Sequence, residues 1–185
     1  YSKYSSFKAK TEIKKDEAVS KNNSSISYHR LMLEEITKKV NGIISAAEIK
    51  LPSSIQMEIS HHYGLEKFNE YGMVIFTLIN RAYCKKLLIS LPGQVHPAQY
   101  HKKKEESFLL MYGDLTLTLD NKNIKMKLGE VVTIEKGMVH QFSSKKGAIV
   151  EEISDTHNTD DSFYIDDKIN LNDNRKTFIN FYKNL

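Results

Sequence analysis

Leu33, Ile36, Val40, Ile43 and Ile44 recur at three- and four-residue spacing, which predicts an amphipathic helix over 28–46. Gly42 weakens that helix slightly, and Leu51-Pro52 marks its exit. A strand is expected near Ile55 to Ser60 and a short helix near Gly64 to Glu70. From Met73 the pattern changes. Short runs rich in β-branched and aromatic residues occupy 73–79, 84–91, 107–112, 114–119, 123–128, 130–134, 139–144 and 147–154. Gly113-Asp114, Asp120-Asn121, Gly129 and Lys146-Gly147 separate them. Strands at such spacing predict an antiparallel sandwich or barrel rather than a parallel α/β sheet. Residues 1–27 are polar and read as a linker or the remnant of a preceding module, and 28–72 as a lead-in packed on the barrel. Residues 73–167 form the barrel, and 168–185 a tail whose aromatic end, Thr177 to Tyr182, packs back onto it.

Composition narrows the class. The 185 residues, 40% apolar with 10 Tyr and 8 Phe, suffice for a core that needs no disulfide staple. The lone Cys84 excludes an internal disulfide, favours a reducing compartment, and sits in an apolar stretch as a buried structural thiol. No apolar run approaches the roughly 20 residues needed to span a bilayer, so a cytoplasmic protein is expected. The net charge of +4 comes from short lysine clusters, and the arginines are Arg30, Arg81 and Arg175 alone. Nucleic-acid binders show a denser basic face, so lysines facing solvent or an anionic small molecule explain the charge better. The chain starts at Tyr1 rather than Met, as a fragment of a longer polypeptide would.

Two segments carry polar residues unusual in strands: Gly93 to Gly113, and Gly129 to His140. Strand alternation aims Gln99 and His101 the same way, while Glu106 shares parity with Phe108, Leu110 and Tyr112, and His140 with Phe142. Two imidazoles, a carboxylate and an amide from adjacent strands can converge on one divalent ion, and this donor set suits Mn, Fe, Zn, Ni or Cu.

The two segments resemble the paired motifs of the cupin superfamily, G-x5-H-x-H-x3-4-E-x6-G and G-x5-P-x-G-x2-H. Here the first runs Gly93, Gln99, His101, Glu106, Gly113, and the second Gly129, Glu135, Gly137, His140, with every spacing kept. Gln99 stands where the first ligand histidine is usual, and Glu135 where the turn proline is. The amide oxygen is a weaker ligand for borderline metals than imidazole, which lowers metal affinity, changes the metal, or empties the site. Ile59 to Phe68, Ile79-Asn80-Arg81, Tyr83 to Lys86, Leu91 to Gln94, Glu151 to Ser154, Thr156-His157 and Asp161 to Tyr164 are similar to D-lyxose isomerase-like cupins. That group includes the cupin modules appended to N-acetylneuraminate (sialic acid) synthase-like proteins. Residues 7–23 resemble the start of the antifreeze-like module that follows the synthase barrel.

The resemblance implies a mainly β fold, a double-stranded β-helix (cupin or jelly-roll barrel) with an N-terminal helix and short flanking helices. It also implies a metal-dependent aldose–ketose isomerase or epimerase acting on a neutral or acidic sugar, within sialic acid, nonulosonate or surface-polysaccharide biosynthesis. Gln99, His101, Glu106 and His140 are the expected metal ligands. Isomerisation moves a proton between C1 and C2, which needs a base and an electrophile. Of the adjacent Glu151 and Glu152, alternation aims one inward; Glu152, sharing a face with Ala148 and Val150, is the expected base. Lys103 has the parity of His101 and is the expected catalytic lysine. His96, Tyr112, Phe142 and His157 are candidate substrate contacts. His61 and His62, as strand neighbours, face opposite ways and read as packing or capping residues. Leu109 and Met111 suggest an outer apolar face and a homodimer. The alternative is a non-catalytic carbohydrate-binding or dimerisation module of a sialic acid synthase-like protein.

Overall fold

The computed structural model describes residues 27–182. Helix α1 covers 27–46, close to the predicted span, and the chain divides into two units between Lys38 and Lys39. In the first unit Arg30 and Glu34 pair along the helix at 2.9 Å. In the second, Val40 and Ile44 of α1 are buried and Ile43 reaches toward Gly147. The expected linker or remnant at 1–27 lies outside the described residues except for its last position.

The second unit is mainly β, in two antiparallel sheets. In chain order its elements are β1 (Ser54–His61), a 3-10 turn (Leu65–Lys67), α2 (Phe68–Tyr71), β2 (Gly72–Asn80), β3 (Tyr83–Ser90) and β4 (Val95–Tyr100). They continue with β5 (Glu106–Gly113), β6 (Leu115–Leu119), β7 (Lys122–Met126), β8 (Val131–Ile134), β9 (His140–Ser143) and β10 (Ala148–Asp155). The chain ends in β11 (Phe163–Tyr164), α3 (Asp167–Asn170) and β12 (Lys176–Tyr182). One sheet has the order β12-β1-β2-β3-β10-β5-β8 and the other β11-β4-β9-β6-β7. The predicted strands are present, and the aromatic tail segment is an edge strand. It pairs with β1 over seven positions, from Ser54↔Tyr182 to Ser60↔Lys176, and packs Phe181 edge-on against Phe76.

The core follows from alternation. Leu88, Phe108, Leu110, Ile134 and Val150 of the larger sheet face Leu115, Leu117, Met126 and Phe142 of the smaller one, all nearly inaccessible. The opposite face of the larger sheet presents Met57, Ile59, Val74, Phe76, Ile89 and Ile149, each fully buried. Two glycines are structurally required. At Gly113, with φ +80°, a Cβ would lie 1.8 Å from the Gly147 carbonyl oxygen. Gly137, with φ +81°, is the third residue of a turn closed by Met138 N–H donating to the Glu135 carbonyl at 3.1 Å. That turn needs a glycine there more than it needs a proline at 135. Cys84 is buried and free, and burial pushes its thiol pKa up, as suits a structural rather than a reactive thiol. No helix among the described residues is long and apolar enough to cross a membrane.

Candidate metal centre and pocket

β4, β5 and β9 bring Gln99, Glu106 and His140 together, and His101 joins them from just beyond β4. Gln99 lies opposite His140 in the β4–β9 register. One ligand atom each from His101, Glu106 and His140 lies within 4.8 Å of the others, and all three residues are buried. Glu106 Oε1 is 3.0 Å from His140 Nε2, and Glu106 Oε2 is 3.7 Å from His101 Nε2. Gln99 Nε2 is 3.3 Å from His140 Nε2.

Three of the buried polar atoms that lack a hydrogen-bond partner are ones a cation would use. Gln99 Oε1, His101 Nε2 and Glu106 Oε1 are buried without one, although such groups are ordinarily satisfied. Each imidazole is also held by its other nitrogen. His101 Nδ1 bonds the Asp161 carbonyl, and His140 Nδ1 lies 3.2 Å from the Met138 carbonyl. Donation from Nδ1–H fixes the tautomer that leaves Nε2 with a lone pair, the outer-shell arrangement of metal-binding histidines. Burial lowers the His101 pKa against the opposing pull of Glu106, which favours the neutral ligand form. The donor set therefore fits a divalent ion such as Mn, Fe, Zn or Ni, with one weaker donor at Gln99.

Beside these ligands lies a lysine that sequence alternation did not select. Lys103 points outward, its side chain 62% exposed and its Nζ 3.4 Å from Asp160, so the expected catalytic lysine is misplaced by one residue. Lys104 is the buried one, with Nζ 2.5 Å from Glu106 Oε2 and 2.8 Å from Glu152 Oε1. The reason is local. Residues 102–105 form a turn, not a strand, and Asp161 gathers it through its carboxylate, which accepts from the backbone N–H of Lys102, Lys103 and Lys104 at 3.0–3.1 Å. Parity ends where the strand does. Burial alone would lower the Lys104 pKa, but Glu152 and Glu106 together outweigh it and hold the ammonium above its ordinary value. For Glu106, burial pushes the carboxyl up; the Lys104 ammonium opposes this and holds it well below the usual range.

Glu152 points into the pocket from β10, where it also accepts from Ser154 Oγ at 3.1 Å and lies 3.6 Å from the buried Lys86. Glu151 faces the other way and pairs with Lys85 at 2.7 Å. His96, Phe142 and His157 line the same cavity. Tyr112 does not. A register shift in β10 between Ile149 and Val150 interrupts the β5–β10 pairing before Tyr112, which is half-buried and outside the pocket wall. His96 stacks on Phe142 at 4.6 Å and 8°, and burial pushes its pKa well below the ordinary value. His157 is lowered to about 3, by burial first and then by Lys86 and Lys104. His61 bonds Thr177 Oγ1 at 3.0 Å and His62 the Tyr164 hydroxyl at 3.0 Å, so both act in packing and capping.

Residues 87–152 match the family model described as Cupin domain. Over these residues the chain is similar to cupin domains. Its two sheets give it the cupin fold, and the cluster of His101, Glu106 and His140, which could hold a metal ion, lies where the two motifs meet. The D-lyxose/D-mannose isomerase of Thermosediminibacter oceani is 27% identical, over 70% of this chain and 88% of that protein. Among solved structures, Cellulomonas parahominis L-ribose isomerase with L-ribose superposes with a TM-score of 0.64 at 14% identity, over 77% of this chain and 94% of its own. Geodermatophilus obscurus L-ribose isomerase gives 0.61 at 15% identity, over 76% and 94%. These structural likenesses concern the fold.

Besides Lys104, the pocket is lined by residues sequence reasoning passed over: Lys86, and Glu58, Arg175 and Lys176 from β1 and the start of β12; Asp161 acts from behind it on the 102–104 turn. Lys86 carried a usable signal, a lysine alternating inward between Cys84 and Leu88. Arg175 and Lys176 carried none, because they reach the pocket only through the pairing of β12 with β1.

Proposed function

We propose that this chain is a metal-dependent isomerase or epimerase of a small aldose, with Gln99, His101, Glu106 and His140 as ligands and Glu152 as the proton-transferring base. One observation carries the reading. Glu152 sits in the cavity beside the ligand cluster, joined to Glu106 through the ammonium of Lys104. A divalent ion bound there supplies Lewis-acid polarisation of the sugar oxygens. Glu152 removes the proton at C2 and returns it at C1, the O2 hydroxyl proton passes to O1, and Lys104, kept protonated, donates hydrogen bonds to the oxygen that gains charge. His157, neutral down to a pH of about 3, donates or accepts at a sugar hydroxyl without adding charge. The names of the similar proteins, a D-lyxose/D-mannose isomerase and L-ribose isomerases, support the reaction class.

The test is a sugar panel. Protein loaded with Mn2+ is incubated with D-lyxose, D-mannose, L-ribose and other pentoses and hexoses, and ketose formation is followed. Turnover is expected on at least one aldose, and Glu152→Gln should lower kcat by about 100-fold or more. Full metal occupancy with no ketose from any sugar would defeat the proposal.

A second reading, a non-catalytic carbohydrate-binding or dimerising module of a sialic acid synthase-like protein, is favoured by Gln99 in place of a ligand histidine. Its link to sialic acid biosynthesis rests on residues 7–23, outside the described residues, and on the likeness to synthase-linked cupins. Under either reading a homodimer is proposed through the outer face of β5 and β8, where Met111 and Val131 are exposed; light scattering checks it.

A further inference from the structure

We infer that the sugar taken by this pocket carries an anionic group, a phosphate or a carboxylate, at the end remote from the reacting carbons, and that Arg175 receives it. The inference deepens the isomerase reading and rests on it for the placement of the reacting end.

The cavity wall holds four cations, Lys86, Lys104, Arg175 and Lys176, and three carboxylates, Glu58, Glu106 and Glu152. Three of the cations are already matched. Lys104 bridges Glu106 and Glu152, Lys86 lies 3.6 Å from Glu152, and Lys176 Nζ is 2.7 Å from Glu58 Oε1. Among the described residues, no carboxylate pairs with Arg175. Its guanidinium instead rests 5.1 Å from the centre of the Tyr164 ring. The Tyr164 hydroxyl is itself tied to His62 Nε2 at 3.0 Å, so the ring is a fixed platform.

Beyond its hydrogen bond to Tyr164, the Arg175 guanidinium keeps further N–H donors, which can grip a carboxylate or phosphate. Position supports the same assignment. Arg175, Lys176, Glu58 and His157 line both the inner cavity and a wider vestibule, whereas His101, Glu106 and Glu152 line the inner cavity alone. Arg175 thus stands at the neck, away from the reacting end. Asp173 also lines the vestibule but pairs with no cation among the described residues. A neutral aldose would leave the arginine's donors to water; an anionic one satisfies them and cancels the surplus positive charge.

Calorimetric titration of the Mn2+-loaded protein with D-lyxose, D-lyxose 5-phosphate and D-glucuronate tests this directly. At least one anionic aldose is expected to bind about tenfold or more tightly than the neutral sugar, and to lose most of that advantage at high salt. The arm that shows the advantage identifies the anion. In Arg175→Gln the ratio of anionic to neutral affinity should fall toward one, with an unchanged melting temperature as the folding control, and Arg175→Lys should restore part of it. Equal affinities for neutral and anionic aldoses, an advantage that survives in Arg175→Gln, or no binding of either anionic sugar at millimolar concentration would each overturn the inference. Tight binding without ketose formation would defeat the isomerase reading and leave this one standing.

Discussion

Asp161 does for the 102–104 turn what a capping residue does for a helix: its carboxylate satisfies three successive backbone N–H groups. Its own carbonyl holds His101 Nδ1. One residue therefore places Lys104 and fixes the tautomer of His101, a proposed metal ligand. Asp161→Ala should weaken Mn2+ binding about 10–100-fold, the usual penalty for losing outer-shell support, with Asp161→Asn intermediate; calorimetric metal titration reads both, and full affinity in the alanine variant would refute the role. The two neighbouring lysines separate just as sharply. Lys104→Met leaves Glu106 and Glu152 buried without their shared cation and should cost about 3–5 kcal/mol. Lys103→Met, in solvent, should stay within about 0.5 kcal/mol. Denaturant midpoints of the two variants make the comparison.

At the scale of elements, β12 is the piece whose importance exceeds its chemistry. It closes one edge of the larger sheet against β1, the strand that carries Glu58 and Ser60 into the pocket, and its start delivers Arg175 and Lys176 to the pocket neck. Phe181 anchors it, 1% exposed and 5.0 Å from Phe76 ring to ring. Phe181→Ala should destabilise the fold by about 3–5 kcal/mol through the cavity it leaves, and thermal melts would show it. The β5–β10 approach at Gly113 is equally constrained, since its neighbour is backbone and cannot swing aside. Paired strands leave no room there for a methyl group, so the glycine of the first motif belongs to sheet closure as much as to the site.

For the molecule as a whole, burial of neutral histidines gives stability a pH dependence of definite sign. His62 is lowered from 6.5 to about 4 by burial, and His157 to about 3. Below pH 6.5 the unfolded chain takes up protons that the folded chain refuses, so stability falls with acidification, for His62 by of order 3 kcal/mol by pH 4. Glu106 adds the same sign lower down: its depressed carboxyl contributes above the unfolded value of 4.5, and that contribution is lost as pH falls toward its folded value. Urea midpoints should therefore drop steadily from pH 7 to 4, and His62→Gln should flatten the slope between 6.5 and 4. A pH-independent midpoint would contradict the burial argument.

Local pattern determined the helix over 28–46 and the strand succession from Met73, because alternation is a property of the chain itself, whereas the meeting of Gln99, His101, Glu106 and His140 was implied by the resemblance of the two motifs to cupins. The same alternation separated Glu152 from Glu151. It failed at Lys103, where a turn held by a distant aspartate resets the parity, and at Tyr112, beyond a register shift. Tertiary structure decided the buried Lys104 bridge, the anchoring of His101 by Asp161, and the arrival of Arg175 at the pocket neck. Each depends on contacts between residues some 48 to 114 positions apart (Lys104 with Glu152, His61 with Arg175), which no local window along the sequence contains.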